Sequence, residues 1–199
     1  MRDWIFVTSS RAKLVEAERI LGRRLIQHDL DLPEIQALDL ETVISAKAQL
    51  AYDALGGAPV IVEDTGLFIE CWKGLPGALV RWFEETVGPA GICSMLQGFA
   101  DRSARAQTIV AAYDGSLEVF SGEVRGQIAQ APRGDQGFGW DTIFIPEGET
   151  RTFAEMASEE KDRLSMRRKA FFDFASAERR TGEMRNAEMR NAKLQSDSE

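Results

Sequence analysis

The sequence predicts a single α/β domain, and three observations support this fold class. Short apolar runs typical of strands alternate with segments whose apolar residues recur at helical spacing. Two long strand-like segments, 105–113 and 117–129, are joined by Asp114-Gly115, which favours a hairpin turn. The chain has 199 residues, 44% hydrophobic and 28% charged, which suits one medium-sized domain. Because no linker divides residues 1–180, we expect one domain with two lobes around a cleft.

Local patterns predict the elements in chain order. Trp4-Ile5-Phe6-Val7 predicts a strand, Thr8-Ser9-Ser10 a tight loop, and the next residues a helix that ends before Gly22. Further strands are predicted at 24–27, 59–62 and 142–145, and further helices at 41–55, 79–86, 90–98 and 158–179. We expect the strand 59–62 to end at Glu63-Asp64-Thr65-Gly66. Residues 181–199 carry the repeat Glu183-Met-Arg-Asn-Ala and Glu188-Met-Arg-Asn-Ala, whose period suits no helix or strand face, so we predict a frayed or disordered polar tail.

Composition excludes several classes of function. The formal net charge is −8, which argues against binding to nucleic acid polymers or to anionic membranes. No window approaches the roughly 18 apolar residues of a spanning helix, and the first residues lack a signal-peptide pattern. Two cysteines cannot form a disulfide framework and fit a reducing cytoplasm as free thiols. A small phosphorylated substrate remains possible, because it needs only a local positive cluster or a metal.

Three groups of residues could carry chemistry, and each also has an ordinary structural interpretation. Hydroxyls at Thr8, Ser9 and Ser10, with Arg11 and Lys13 opening a helix, suit a polyphosphate, although Ser10 is also a plain helix cap. Glu34 and the pair Glu63-Asp64 suit Mg²⁺, although acids at such positions often cap turns.

The third group lies in the C-terminal half. Phe138 and Trp140 in the Gly-rich loop 132–141 could stack on a base or simply fill the core. Lys161, Ser165 and Arg168, with Arg167 adjacent, share a face of the predicted last helix, which could equally be a solvated basic face.

Taken in order, the chain resembles the inosine triphosphate pyrophosphatase family, which hydrolyses aberrant purine nucleoside triphosphates. The resemblance covers about residues 4–175. The matching segments are Thr8-Ser-Ser-Arg-Ala-Lys13 with Glu16, Pro33-Glu-Ile-Gln36, Glu63-Asp-Thr-Gly-Leu67, Gly74-Leu-Pro-Gly77, Arg81-Trp82-Phe83, Pro132-Arg-Gly134, Phe138-Gly-Trp-Asp141, Ala154-Glu-Met156, Glu160-Lys161 and Ser165-Met-Arg167.

The resemblance implies a fold, partners and roles for residues. The fold is a mixed α/β domain with a long, curved central sheet between two lobes, and the nucleotide lies in the cleft. The family is usually homodimeric and requires Mg²⁺. Glu34 and Asp64 match the metal positions, and Asp64 also matches the proton acceptor. The triphosphate would be held by Thr8, Ser9, Ser10, Arg11, Lys13, Lys47 and Arg81, with Thr65 in place of a common serine. The base and sugar pocket would comprise Phe138, Gly139, Trp140, Asp141, Lys161, Met166 and Arg167.

Three positions depart from the family pattern. Ser10 replaces a usual asparagine, Thr142 a usual proline, and Met166 a usual base-contacting histidine. The only histidine, His28, is distant in sequence and fits an ordinary strand end. Two alternatives therefore stay open: a pyrophosphatase retuned to another or modified nucleotide, and a non-catalytic nucleotide sensor. The residues also leave open whether Asp64 acts as metal ligand, base or both.

Overall fold

A computed structural model describes the backbone of residues 3–196 and the side chains of residues 3–184. These residues form seven strands and six α-helices. The strands are β1 Ile5–Val7, β2 Ile26–His28, β3 Val60–Ile69, β4 Pro76–Gly77, β5 Ser103–Tyr113, β6 Leu117–Ile128 and β7 Phe144–Pro146. The helices are α1 Arg11–Leu21, α2 Leu40–Ala54, α3 Val80–Thr86, α4 Gly88–Met95, α5 Ser158–Leu164 and α6 Met166–Ser196.

The strands form one mixed sheet, which confirms the predicted mixed α/β class. The strand order is β2-β1-β3-β5-β6-β7, and β4 pairs with β3 outside this path. Strand β1 is parallel to β2 and β3, whereas β3, β5, β6 and β7 pair antiparallel in succession. The predicted hairpin at Asp114-Gly115 joins β5 to β6.

Apolar side chains on successive strand residues pack against helices on opposite faces of the sheet. Ile61 of β3 lies in a cluster with Phe6 and with Phe171 of α6, whose rings meet edge to face at 5.8 Å. The neighbouring residue Val62 lies in a second cluster, with Ile44 of α2. Helices α1 and α6 therefore cover one face of the sheet, and α2 covers the other. No helix among the described residues is long and apolar enough to cross a membrane.

Helix α1 begins and ends as the sequence predicts. Ser10 is its N-cap, and the hydroxyl accepts a hydrogen bond from the Lys13 backbone N–H at 3.3 Å. Gly22 ends the helix in the left-handed region, with φ +65°, a conformation that glycine adopts without steric cost. The loop 8–10 is thereby fixed between β1 and the positive end of α1.

The prediction for β3 is wrong at its C-terminal end. The strand continues to Ile69, so Glu63-Asp64-Thr65-Gly66 lies in the middle of the strand rather than at its end. All ten residues pair with β5, from Val60 opposite Tyr113 to Ile69 opposite Ala104. Polar residues are tolerated there because Thr65 donates to Glu63 at 2.9 Å and shares a 2.8 Å hydrogen bond with Thr108.

The predicted last helix is wrong in two respects. It is broken at Ser165, whose backbone is extended with ψ 147°, so Lys161 and Arg168 lie on different helices, α5 and α6. The Ser165 hydroxyl accepts from the Arg168 N–H at 3.1 Å, as in a helix N-cap. The backbone then continues as α6 to Ser196, beyond the predicted helix end at residue 179. The division into a domain and a tail stays a prediction.

Candidate active site

A cavity of about 520 Å³ opens where the loop after β1, the middle of β3, α3 and the segment 138–141 meet. It collects most of the residues that the sequence singled out. Lining it are Thr8, Ser9, Ser10, Lys13, Glu34, Lys47, Asp64, Thr65, Arg81, Phe138, Gly139, Trp140, Asp141, Met166 and Arg167. Arg11 and Lys161 are not among the lining residues: Arg11 is exposed, and Lys161 is buried behind the cavity wall.

The loop 8–10 is held in place by β2. The Thr8 backbone N–H donates to the His28 carbonyl at 3.0 Å, and the Gln27 side-chain amide donates to the Thr8 carbonyl at 2.9 Å. The Thr8 hydroxyl accepts from the Ser10 N–H at 3.1 Å. The loop therefore presents hydroxyls and the N-terminal end of α1 to the cavity in a fixed geometry, which suits an anion.

Cations and carboxylates alternate along the next part of the wall. Lys13 Nζ lies 3.4 Å from Glu63 Oε1 and 3.8 Å from Asp64 Oδ1. Lys47 Nζ donates to Glu34 Oε1 at 3.1 Å, on a pair that is partly exposed. This arrangement can bind phosphate oxygens through the lysines and a divalent cation through the carboxylates.

The pKa values of the neighbouring carboxylates Glu63 and Asp64 are shifted in opposite directions. Burial opposes ionisation of Glu63, but attraction to Arg167 and Lys13 overcomes it and lowers its pKa to about 2. Burial raises the pKa of Asp64, and repulsion from Glu34 adds to this, while Lys13 and Lys47 only partly offset it. Two adjacent acids whose pKa values are pushed apart suit two different roles. Glu63 thus keeps its charge within the ion network, whereas the surroundings of Asp64 favour its neutral form more than those of an ordinary aspartate.

A buried ion network ties this part of β3 to α1 and to the last two helices. Arg167 donates from Nε and Nη2 to the two carboxylate oxygens of Glu63, at 2.9 and 3.1 Å, and from Nη1 to Glu16. Lys161 Nζ donates to Glu16 at 2.7 Å and to Asp141 at 2.6 Å. Glu16 thus bridges both cations, and Arg167 and Lys161 are only 2% and 3% exposed.

The ion network engages residues that the sequence placed in the base pocket. We expected Arg167 to present its guanidinium to a base, yet its donors are already engaged with Glu63, Glu16 and the Thr65 hydroxyl, which lies 3.3 Å from Nη2. Sequence reasoning gave Glu16 no role. Its place one turn after Lys13 on α1 was the available signal, because residues three apart share a helix face.

The two aromatic residues of the loop differ in their surroundings. Trp140 is 6% exposed and packs edge to face on Phe144 in the core, at 5.6 Å between ring centroids. Phe138 is half-buried, and its ring faces the Lys161 ammonium at 4.9 Å and the Arg167 guanidinium at 5.4 Å. Phe138 is therefore the better candidate for stacking on a base, while Trp140 mainly fills the core.

Two further lining residues complete the site. Met166 borders the cavity but is 1% exposed and belongs to the same core cluster as Phe144. Glu84, which sequence reasoning missed, lies one turn after Arg81 on α3. Burial raises its pKa, while the Trp140 backbone N–H acts in the opposite direction.

The chain is similar to known proteins in both sequence and fold. A dITP/XTP pyrophosphatase of Thermococcus kodakarensis is 44% identical over 174 residues, covering 86% of this chain and 94% of that protein. An inosine triphosphate pyrophosphatase of Kluyveromyces lactis is 43% identical over 177 residues, covering 84% of this chain and 91% of that protein. Among solved structures, a HAM1 protein from Coxiella burnetii matches with a TM-score of 0.76 at 25% identity, covering 89% of this chain and 98% of that chain.

Fold and cavity together define a mixed α/β enzyme whose cleft is lined by paired cations and carboxylates. The chain belongs to the Ham1 family, whose model matches residues 4–177. The names of its relatives confirm the resemblance to inosine triphosphate pyrophosphatases that the sequence motifs indicated.

Proposed function

We propose that this protein is a Mg²⁺-dependent pyrophosphohydrolase of noncanonical purine nucleoside triphosphates such as ITP, dITP and XTP. It releases pyrophosphate and a nucleoside monophosphate, and so removes aberrant nucleotides from the pool. The observation that carries the proposal is the position of Asp64, a carboxylate with a raised pKa that lines the cavity beside Lys13. The relatives named above, which cover most of the chain, support the choice of substrate.

The residues fit a magnesium ion. Glu34 and Asp64 both line the cavity, and their charges are close enough to interact. Magnesium prefers one or two carboxylates supplemented by substrate phosphates. Within the described part of the chain, no three His, Cys, Asp or Glu residues form a ready metal site, so substrate oxygens would complete the coordination. When bound, Mg²⁺ neutralises phosphate charge during the attack.

The chain's own residues supply the other requirements of the reaction. Lys13, Lys47 and Arg81 line the cavity and would stabilise the charge that builds on the bridging oxygen as water attacks the α-phosphorus. We assign to Asp64 the orientation of that water and the acceptance of its proton. A raised pKa suits this role because a general base is most efficient when its pKa approaches the working pH.

A retuned base preference is the second candidate, and Met166 is the observation that favours it. The family histidine could donate a hydrogen bond to a base, whereas a methionine sulfur is only a weak acceptor.

We also propose that the protein forms a homodimer and is located in the cytoplasm. Light scattering on the purified protein tests the dimer.

The test of the proposed function is pyrophosphate release across a panel of ITP, dITP, XTP, GTP and ATP, with Mg²⁺ and with EDTA. We expect Mg²⁺-dependent release with inosine and xanthosine nucleotides. Binding of these nucleotides without any turnover would contradict the proposal and favour the sensor alternative.

A further inference from the structure

Glu84 is among the lining carboxylates that have no part in the reaction described above. Glu84 is half-buried and lines the cavity from α3. Four other lining carboxylates each face a cation: Glu34 faces Lys47, Glu63 faces Arg167, Asp64 faces Lys13, and Asp141 faces Lys161. Among residues 3–184, no lysine or arginine is within ion-pair distance of Glu84. Within the protein, the Glu84 carboxylate interacts with the Trp140 backbone N–H and, beyond ion-pair distance, with the charge of Lys13.

Glu84 lies between the two halves of the cavity. Arg81, one turn earlier on α3, interacts electrostatically with Glu34 and Asp64 at the phosphate end. In the other direction, the Glu84 carboxylate packs so closely on Gly139 that a Cβ added there would be 2.3 Å from Oε1. Gly139 follows Phe138, whose ring is the candidate for base stacking. A nucleotide that extends from the cations to this ring has its sugar beside Glu84.

The Glu84 carboxylate and the hydroxyls of a nucleotide sugar are complementary in their hydrogen-bonding chemistry. An ionised carboxylate accepts hydrogen bonds and cannot donate them, and it repels the anionic triphosphate. Sugar hydroxyls, in contrast, are neutral donors. We propose that Glu84 is a specificity-determining residue that accepts a hydrogen bond from a ribose hydroxyl of the substrate, an inference that rests on the proposed function.

The test compares sugars on a constant base. The measurements are kcat/KM and the dissociation constant for ITP, 2′-deoxy-ITP and 3′-deoxy-ITP, in wild type, Glu84→Leu and Glu84→Gln. Glu123→Gln is the control, since Glu123 forms an exposed pair with Arg105 and does not line the cavity. The two deoxy analogues show which hydroxyl is contacted.

We expect wild type to prefer ITP over at least one deoxy analogue by roughly ten- to a hundredfold, the range for a hydrogen bond to a charged group. Glu84→Leu should bring this ratio to within about twofold of one by weakening ITP alone, because only ITP loses a contact. If Glu84→Leu does not fold, Glu84→Gln decides, with a ratio lowered at least about threefold because its acceptor is neutral. The ratio in Glu123→Gln should equal that of wild type.

Three outcomes would overturn the inference. They are wild-type ratios near one for both analogues, an equal loss for all three nucleotides in Glu84→Leu, and a change in the ITP-to-ATP preference with the sugar ratios intact. The second would show a purely structural role on the loop, and the third a contact with the base. If wild type releases no pyrophosphate from any nucleotide, the proposed function fails, and the dissociation constants still decide on Glu84.

Discussion

Replacing Glu63 by glutamine should destabilise the fold in a manner that depends on pH. Glu63 is fully buried, is held by two hydrogen bonds from Arg167, and has its pKa lowered from 4.5 to about 2. Because the folded-state pKa lies below the unfolded-state value, the ionised side chain stabilises the fold above about pH 4.5. That contribution is lost as the pH falls from about 4.5 to about 2.

The magnitude follows from the size of the shift. At 1.36 kcal/mol per pKa unit, the Glu63 charge contributes about 3 kcal/mol to the free energy of unfolding at pH 7 and about 1.5 kcal/mol at pH 3. Glu63→Gln removes this charge and leaves Arg167 with Glu16 as its remaining carboxylate. The stability difference between wild type and variant should therefore be about 3 kcal/mol at pH 7 and shrink towards acid, because wild-type Glu63 also becomes neutral there.

Urea unfolding followed by circular dichroism between pH 7 and pH 3 measures this difference. Glu123→Gln is the matched control, because Glu123 forms an exposed pair with Arg105 at 3.2 Å. Exposed pairs contribute little, so this variant should stay within about 1 kcal/mol of wild type at every pH. A Glu63→Gln difference that is independent of pH, or below about 1 kcal/mol at pH 7, would refute the reasoning.

Three further predictions concern the cavity. Asp64→Asn should lower turnover at least about a hundredfold, the low end for loss of a general base, with an unchanged melting temperature; near-normal pyrophosphate release from the folded variant would rule out the assignment. Lys13→Ala should weaken binding of ITP in calorimetry but leave IMP binding nearly unchanged, because this lysine serves the phosphates beyond the first; equal losses would place it elsewhere. Met166→His should increase the preference for ITP over ATP by roughly five- to 150-fold, the range for satisfying one buried acceptor. An unchanged preference in wild-type and variant kinetics would show that position 166 does not set base choice.

Local chemistry explains which elements could be predicted from the sequence. Helix α1 follows from a serine cap and a terminal glycine, and the β5–β6 hairpin from Asp114-Gly115. Strand β3 was predicted too short because Glu63 and Thr65 are polar, and a single sequence does not show the long-range partners that allow them to be buried. The break at Ser165 was also not predictable from the sequence, because a serine is found both inside helices and at helix caps.

The sequence predicted which residues line the cavity better than it predicted which residues they contact. The resemblance to a family identified residues such as Lys13, Asp64 and Phe138, and the structure brings them to one cavity. It did not reveal that Arg167 is shared between Glu63 and Glu16, because that pairing joins α1, β3 and α6 across long sequence distances. Glu84 was missed because a lone glutamate on a short helix carries no motif.

The central claim, that water attacks the α-phosphorus of a nucleoside triphosphate in this cavity, is tested most directly by isotope labelling. The protein is incubated with ITP and Mg²⁺ in water enriched in ¹⁸O, and the products are analysed by mass spectrometry. We predict pyrophosphate and inosine monophosphate as the products, with one ¹⁸O atom in the monophosphate and none in the pyrophosphate. Label in pyrophosphate, or release of orthophosphate in place of pyrophosphate, would contradict the account.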